Sequence, residues 1–168
     1  WPALAGVAEW VTSRAVKTER GYEVRASMGI AEREEPVANA AFTNMACVVV
    51  LRDAIAAAGR LDRPIDTKWR EIADGMLVPR REKAIVSQDG YRRDEEKGAT
   101  PDPLMGIWPF GYPAAEDEEA ATLALYLGQA DSYVGSPMLS ALYGVWAVRA
   151  GDSRLALKLM DEGYAQFI

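Results

Sequence analysis

Ala40-Ala41-Phe42-Thr43-Asn44-Met45-Ala46-Cys47-Val48-Val49-Val50-Leu51-Arg52-Asp53-Ala54-Ile55-Ala56-Ala57-Ala58-Gly59 is the stretch that decides the fold class. Its centre, Cys47-Val48-Val49-Val50, is rich in β-branched residues and would suit a buried strand. Its flanks, Ala40-Ala41 and residues 54–58, are strong helix formers. The whole run is also far longer than an ordinary strand. Gly59 supplies a C-terminal stop. The spacing predicts a helix over 40–58.

Upstream, Leu4, Val7, Ala8, Val11 and Ala15 recur at helical spacing, which predicts a helix over 2–16 with Pro2 in its first turn. Gly21 breaks the next stretch, and Tyr22-Glu23-Val24 suits a short strand. Residues 29–39 are polar, contain Pro36 and read as a loop. Downstream, Asp66 or Thr67 caps a helix through Met76, whose apolar face is Trp69, Ile72, Ala73 and Met76. Residues 78–113 carry Pro79, Pro101, Pro103, Pro109 and Pro113, with Gly90, Gly98, Gly106 and Gly111 among them. That predicts a long irregular excursion, and Tyr91, Trp108, Phe110 and Tyr112 argue that it is ordered. Helices return over 115–128 and 137–149, joined by a linker over 129–136. Gly151 then breaks the chain, and Asp152 or Ser153 caps a last helix to about 165. The expectation is a single all-α domain of six helices in pairs, with few strands.

Composition excludes several kinds of chemistry. The chain has 168 residues, no histidine and one cysteine, so neither an internal disulfide nor an imidazole-based triad can form. No metal site or cofactor is expected. A net charge of −6 disfavours nucleic acid and anionic membranes as partners. The longest apolar run of the first half, residues 45–51, is short, so no membrane span is expected. No leader is visible either, which favours the cytoplasm. The first residue is Trp1, which suggests a processed product or a piece of a longer protein.

Acid–base chemistry therefore falls to carboxylates, Lys, Tyr or Cys47, and three segments concentrate the candidates. Residues 29–44 carry Glu32, Glu34 and Glu35 beside Arg33. They form either a solvated acidic turn or a proton donor whose pKa its neighbours raise. Residues 90–113 interleave Trp108, Phe110 and Tyr112 with Arg92, Arg93, Asp94, Glu95, Glu96 and Lys97. The rings either seal helix ends or form a platform for the C–H face of a sugar. Ring density and mixed charge make Lys97 and Trp108 the substrate-binding candidates. In residues 129–137, Asp131 is either a turn residue or a second carboxylate, next to Gln129, Ser132, Tyr133 and Ser136.

The run Gly29-Ile30-Ala31-Glu32-Arg33-Glu34-Glu35-Pro36-Val37-Ala38-Asn39-Ala40-Ala41-Phe42-Thr43-Asn44 resembles the acid motif of glycoside hydrolase family 65, G-P-D-E-Y-H-x-P-V-D-N-x-A-Y-T-N. The Pro-Asp before the glutamate and the Tyr-His after it are replaced. Trp69, Ile72-Ala73, Met76 and Pro79 are similar to the family's W-x-x-I-A-x-x-M-x-x-P, and Gly111-Tyr112-Pro113 resembles its G-Y-P. Lys97 stands where the family has K-Q-A-D. The resemblance implies a carbohydrate partner, an α-glucoside, and the C-terminal part of an (α/α)6 barrel that a missing N-terminal part would complete. It implies inverting attack with Glu32 as general acid. Asp131 is the nearest carboxylate for activating water. The family's phosphorylases use inorganic phosphate instead, held by a histidine and serines. The absence of histidine favours hydrolysis. A non-catalytic carbohydrate-binding module is the alternative from a different class.

Overall fold

The computed structural model describes residues 1–95, 97–133, 137–165 and 168. Among them the backbone forms seven α-helices and two small hairpins, an all-α arrangement as expected.

Helix α1 (Pro2–Arg14) ends two residues earlier than its periodicity suggests, because the chain turns at once into the hairpin β1 (Val16–Thr18) and β2 (Gly21–Glu23). The strands pair antiparallel, Val16 opposite Glu23. Gly21 is required there. Its φ is +127°, and a Cβ would stand 2.4 Å from the carbonyl oxygen of Gly75. Helix α2 (Ala41–Arg60) takes the whole deciding stretch, valines included. It meets the length and composition of a membrane span, which corrects the expectation that no stretch does. Its buried face (Cys47, Val48, Leu51 and Ala54) packs with Ala8 and Val11 of α1 and with Trp69, Ile72 and Ala73 of α3 (Thr67–Gly75). Asp66 caps α3 by accepting from the Lys68 amide.

The segment 78–113 is less irregular than the sequence suggests. It holds the hairpin β3 (Arg80–Arg81) and β4 (Ala84–Ile85) and a short helix α4 (Asp102–Ile107). Pro101 and Pro103 disguise α4, yet proline is tolerated in a first turn, where amides have no helical partner. Gly106 brings α4 onto α2, since a Cβ there would meet the Met45 side chain at 2.7 Å. This crossing is the centre of a bridging cluster of Ala41, Met45, Val78, Ile85 and Ile107.

A second core gathers Leu104 of α4 with α5 (Glu116–Leu127), α6 (Pro137–Arg149) and α7 (Ser153–Gly163). Four acids open α5, favourably for its dipole, and Glu118 accepts from the Ala115 amide at 3.2 Å. Residues 130–132 of the expected linker form a 3₁₀ turn. Asp152 caps α7 through the Leu155 amide. The intervening loops are tied to one another: the Asn39 amide donates to the Val24 carbonyl, the Asp89 amide to the Ala38 carbonyl, and the Gln129 side chain to the Tyr91 hydroxyl.

Candidate active site

The first loop begins and ends on backbone pairing. Ser27 and Val37 exchange amide–carbonyl bonds of 3.0 and 2.9 Å, so residues 28–36 form a closed excursion. Within it Ala31 and Arg33 are buried, while Glu32 between them is exposed with φ +50°. Two inward anchors and a left-handed residue between them turn the Glu32 side chain outward. Glu34 and Glu35 are exposed as well.

The far end of the loop is tied down by buried amides. Asn39 donates to Glu23 at 3.0 Å and to Asp89 at 2.8 Å. Asn44 donates to the Asn39 side-chain oxygen at 3.0 Å and to the Leu77 carbonyl at 2.6 Å. Arg20 completes the group with 2.7 Å contacts to both Glu23 and Asp89. Charge-assisted bonds from Arg20, then Thr18 and Asn39, hold the Glu23 carboxyl down at about 2.

The near end lies over a different cluster. Arg33 approaches Glu95 at 3.5 Å, and Glu95 accepts from Gln88 at 3.0 Å. Below them Asp102 is buried beside Gly29 and hydrogen-bonded to Ser87, whose hydroxyl lies 3.0 Å from that of Tyr126. The Asp102 Oδ1 has no hydrogen-bond partner. Burial pushes this carboxyl up to about 7, against the opposing pull of Ser87 and Arg33. The desolvation expected at Glu32 is therefore found one layer beneath it, at Asp102.

The second and third segments meet at Tyr91 and Gln129, whose side chains bond at 3.0 Å. Between them opens a polar cleft of about 380 Å³ lined by Arg93, Glu95, Lys97, Thr100, Gln129, Ser132 and Tyr133. Gly98 makes its tight wall, because a Cβ there would stand 2.6 Å from the Arg92 carbonyl oxygen. Gln88 and Tyr91 face a second cleft, about 350 Å³, with Arg20, Arg81 and Asp89.

The residues named from sequence fall in four different places. Lys97 is exposed, takes φ +60° and lines the polar cleft. Glu32 stands at its loop tip and lines neither cleft. Asp131 is 83% exposed and lies 3.6 Å from Lys158. Trp108 is half-buried against the second core, and its carbonyl accepts from the Trp146 indole at 3.0 Å. Phe110 packs edge-on against Phe42. Ser136 and Glu96 lie outside the described residues. Sequence reasoning missed Asp102, which sits between two prolines without periodicity, and Tyr133 as the cleft's aromatic ring. Among the described residues no group of three or more His, Cys, Asp or Glu side chains is placed to hold a metal.

No family model matches the chain. It is 29% identical over 130 residues, 75% of its length, to protein-glucosylgalactosylhydroxylysine glucosidase of Mus musculus. It is 25% identical over 166 residues, 98% of its length, to kojibiose hydrolase of Flavobacterium johnsoniae. The chain spans 19% and 24% of the lengths of these two relatives, respectively.

Proposed function

We propose that this chain supplies the general acid of an inverting α-glucoside hydrolase, with Glu32 as the proton donor. The observation that carries the reading is the loop itself. Its sequence resembles an acid motif over residues 29–44, and buried Ala31 and Arg33 turn Glu32 outward. The names of the two relatives, a glucosidase and a hydrolase of kojibiose, support a glucoside as substrate. The polar cleft supports a hydroxyl-rich ligand, with Lys97, Glu95 and Gln129 for hydroxyls and one ring, Tyr133, for a C–H face.

In this mechanism Glu32 protonates the leaving glycosidic oxygen as the bond to the anomeric carbon breaks. Water attacks the opposite face, and a second carboxylate takes its proton. Inverting enzymes hold the two carboxyls about 6.5–9.5 Å apart to admit that water. Asp131 is the candidate base on its place in the sequence. It lines neither cleft and lies 3.6 Å from Lys158, so a carboxyl separation from Glu32 outside the inverting range would remove it. Lys97 orients the sugar.

The test follows hydrolysis of an α-linked glucose disaccharide by proton NMR, on the polypeptide that carries this chain. First-formed β-glucose is expected; first-formed α-glucose contradicts inversion. Phosphate-dependent turnover yielding glucose 1-phosphate would favour phosphorolysis. One observation favours a binding module instead, namely the exposure of Glu32. Saturable glucoside binding without turnover would establish that reading.

A further inference from the structure

Of the charged residues in the excursion 28–36, Arg33 alone points inward. It is buried, while Glu32, Glu34 and Glu35 are exposed. It also stands where the motif that this loop resembles has a tyrosine, so the resemblance assigns it no role. A guanidinium leaves water only where anions and acceptors replace the water. Two carboxylates meet that need, one on each side.

On the cleft side, the Arg33 Nη2 lies 3.5 Å from the Glu95 Oε1, and the two side chains are only 10% and 16% exposed. Glu95 is fixed in turn by the Gln88 side-chain amide at 3.0 Å, and it lines the polar cleft. On the inner side is Asp102. The charge of Arg33 draws the Asp102 carboxyl down and that of Glu95 pushes it up, so the three charges share one neighbourhood. All of these partners belong to this chain.

The backbone of the tip needs such an anchor. Glu32 has φ +50°, a conformation that a residue with a side chain keeps only where its neighbours are held on both sides. On one side is Ala31, which buries a single methyl group and therefore contributes little. On the other is Arg33. Its guanidinium joins the residue next to Glu32 directly to the wall of the cleft.

We propose that Arg33 is the positioning residue of the acid loop: held between Glu95 of the cleft wall and Asp102 beneath, it keeps Glu32 in its left-handed conformation and fixes where its carboxyl stands relative to the cleft. This rests on the reading of Glu32 as general acid. Arg33 transfers no proton itself. Its effect on turnover passes through Glu32.

The test uses the polypeptide that carries this chain, with Arg33→Met, Arg33→Lys, Glu32→Gln and the double variant of Glu32→Gln with Arg33→Met. Arg33→Met should lower kcat on an α-linked glucose disaccharide by up to about 10²-fold, the scale of a misplaced catalytic group, and change α-glucosyl fluoride turnover far less. Arg33→Lys, which keeps the cation, should recover most of the loss. In the Glu32→Gln background Arg33→Met should add nothing. Independently of turnover, a glutamate-specific protease should cut after Glu32, Glu34 or Glu35 about tenfold faster in Arg33→Met, because a loosened tip enters a protease more readily. An unchanged rate of cutting overturns the proposal. So does an equal loss on both substrates, or a double variant whose loss is the product of the single ones. If Glu32→Gln alone leaves disaccharide turnover unchanged, the proposal falls with the acid reading, and faster cutting in Arg33→Met then places the failure at Glu32 and not at the anchor.

Discussion

Glu23 and Asp102 are two buried carboxylates beneath the same 16-residue stretch, and their environments push them in opposite directions. Glu23 receives Arg20, Thr18 and Asn39, and its pKa falls to about 2. Asp102 receives Ser87, leaves Oδ1 without a partner, and its pKa rises to about 7. Burial is common to both. The difference lies in how many donors reach the anion, because a carboxylate out of water stays charged only where hydrogen bonds and cations replace the water. The C-terminal end of the loop is thus held by a satisfied polar group. The end that carries Glu32 and Arg33 lies over one that is only partly compensated.

The largest effect is expected from breaking the satisfied side. Asn39→Ala removes donors to Glu23 and Asp89 and the acceptor of Asn44, at a residue whose φ of +54° disfavours alanine. Urea unfolding should show a loss of about 3 kcal/mol. Asn44→Ala should cost roughly 1–3 kcal/mol by the same assay, since it removes one of those bonds and the one to Leu77.

The pH dependence sharpens the contrast. Glu23 binds its proton more weakly folded than unfolded, so its contribution is present above its ordinary value of 4.5 and is lost as pH falls towards 2. Asp102 binds its proton more tightly folded. Its contribution is present below 3.8 and is lost as pH rises through about 7. Stability should therefore fall by up to about 1.4 kcal/mol per pH unit between roughly pH 4 and 7 relative to Asp102→Asn, which cannot titrate. Parallel curves for the two proteins would remove Asp102 from the account. The smallest effects belong to exposed groups. Lys97→Ala and Asp131→Asn should each change stability by less than about 1 kcal/mol. Lys97→Ala should nonetheless raise the KM of a glucoside.

The helices were legible where periodicity was long. The stretch from Ala41 to Arg60 read correctly because alanine-rich flanks outweigh four β-branched or thiol residues at its centre. Helix α4 was not legible, since six residues with Pro103 and Gly106 inside carry no period. Of the candidate site, the position of Glu32 was visible as a motif and Lys97 as a charged loop residue. The burial of Arg33 and Asp102 was not, because charged residues between prolines or glutamates read as solvated. Nor did ring density separate Trp108, which packs against the second core, from Tyr133, which faces the cleft. Only tertiary packing distinguishes them.

The central claim is that the loop aims Glu32 as a proton donor. Glu32→Gln keeps the shape and removes the proton. The decisive measurement compares its turnover on an α-linked glucose disaccharide and on α-glucosyl fluoride, whose leaving group needs little protonation. The account predicts a loss of about 10²–10⁴-fold on the disaccharide and a far smaller loss on the fluoride. An equal loss on both substrates, or no loss on either, would contradict it.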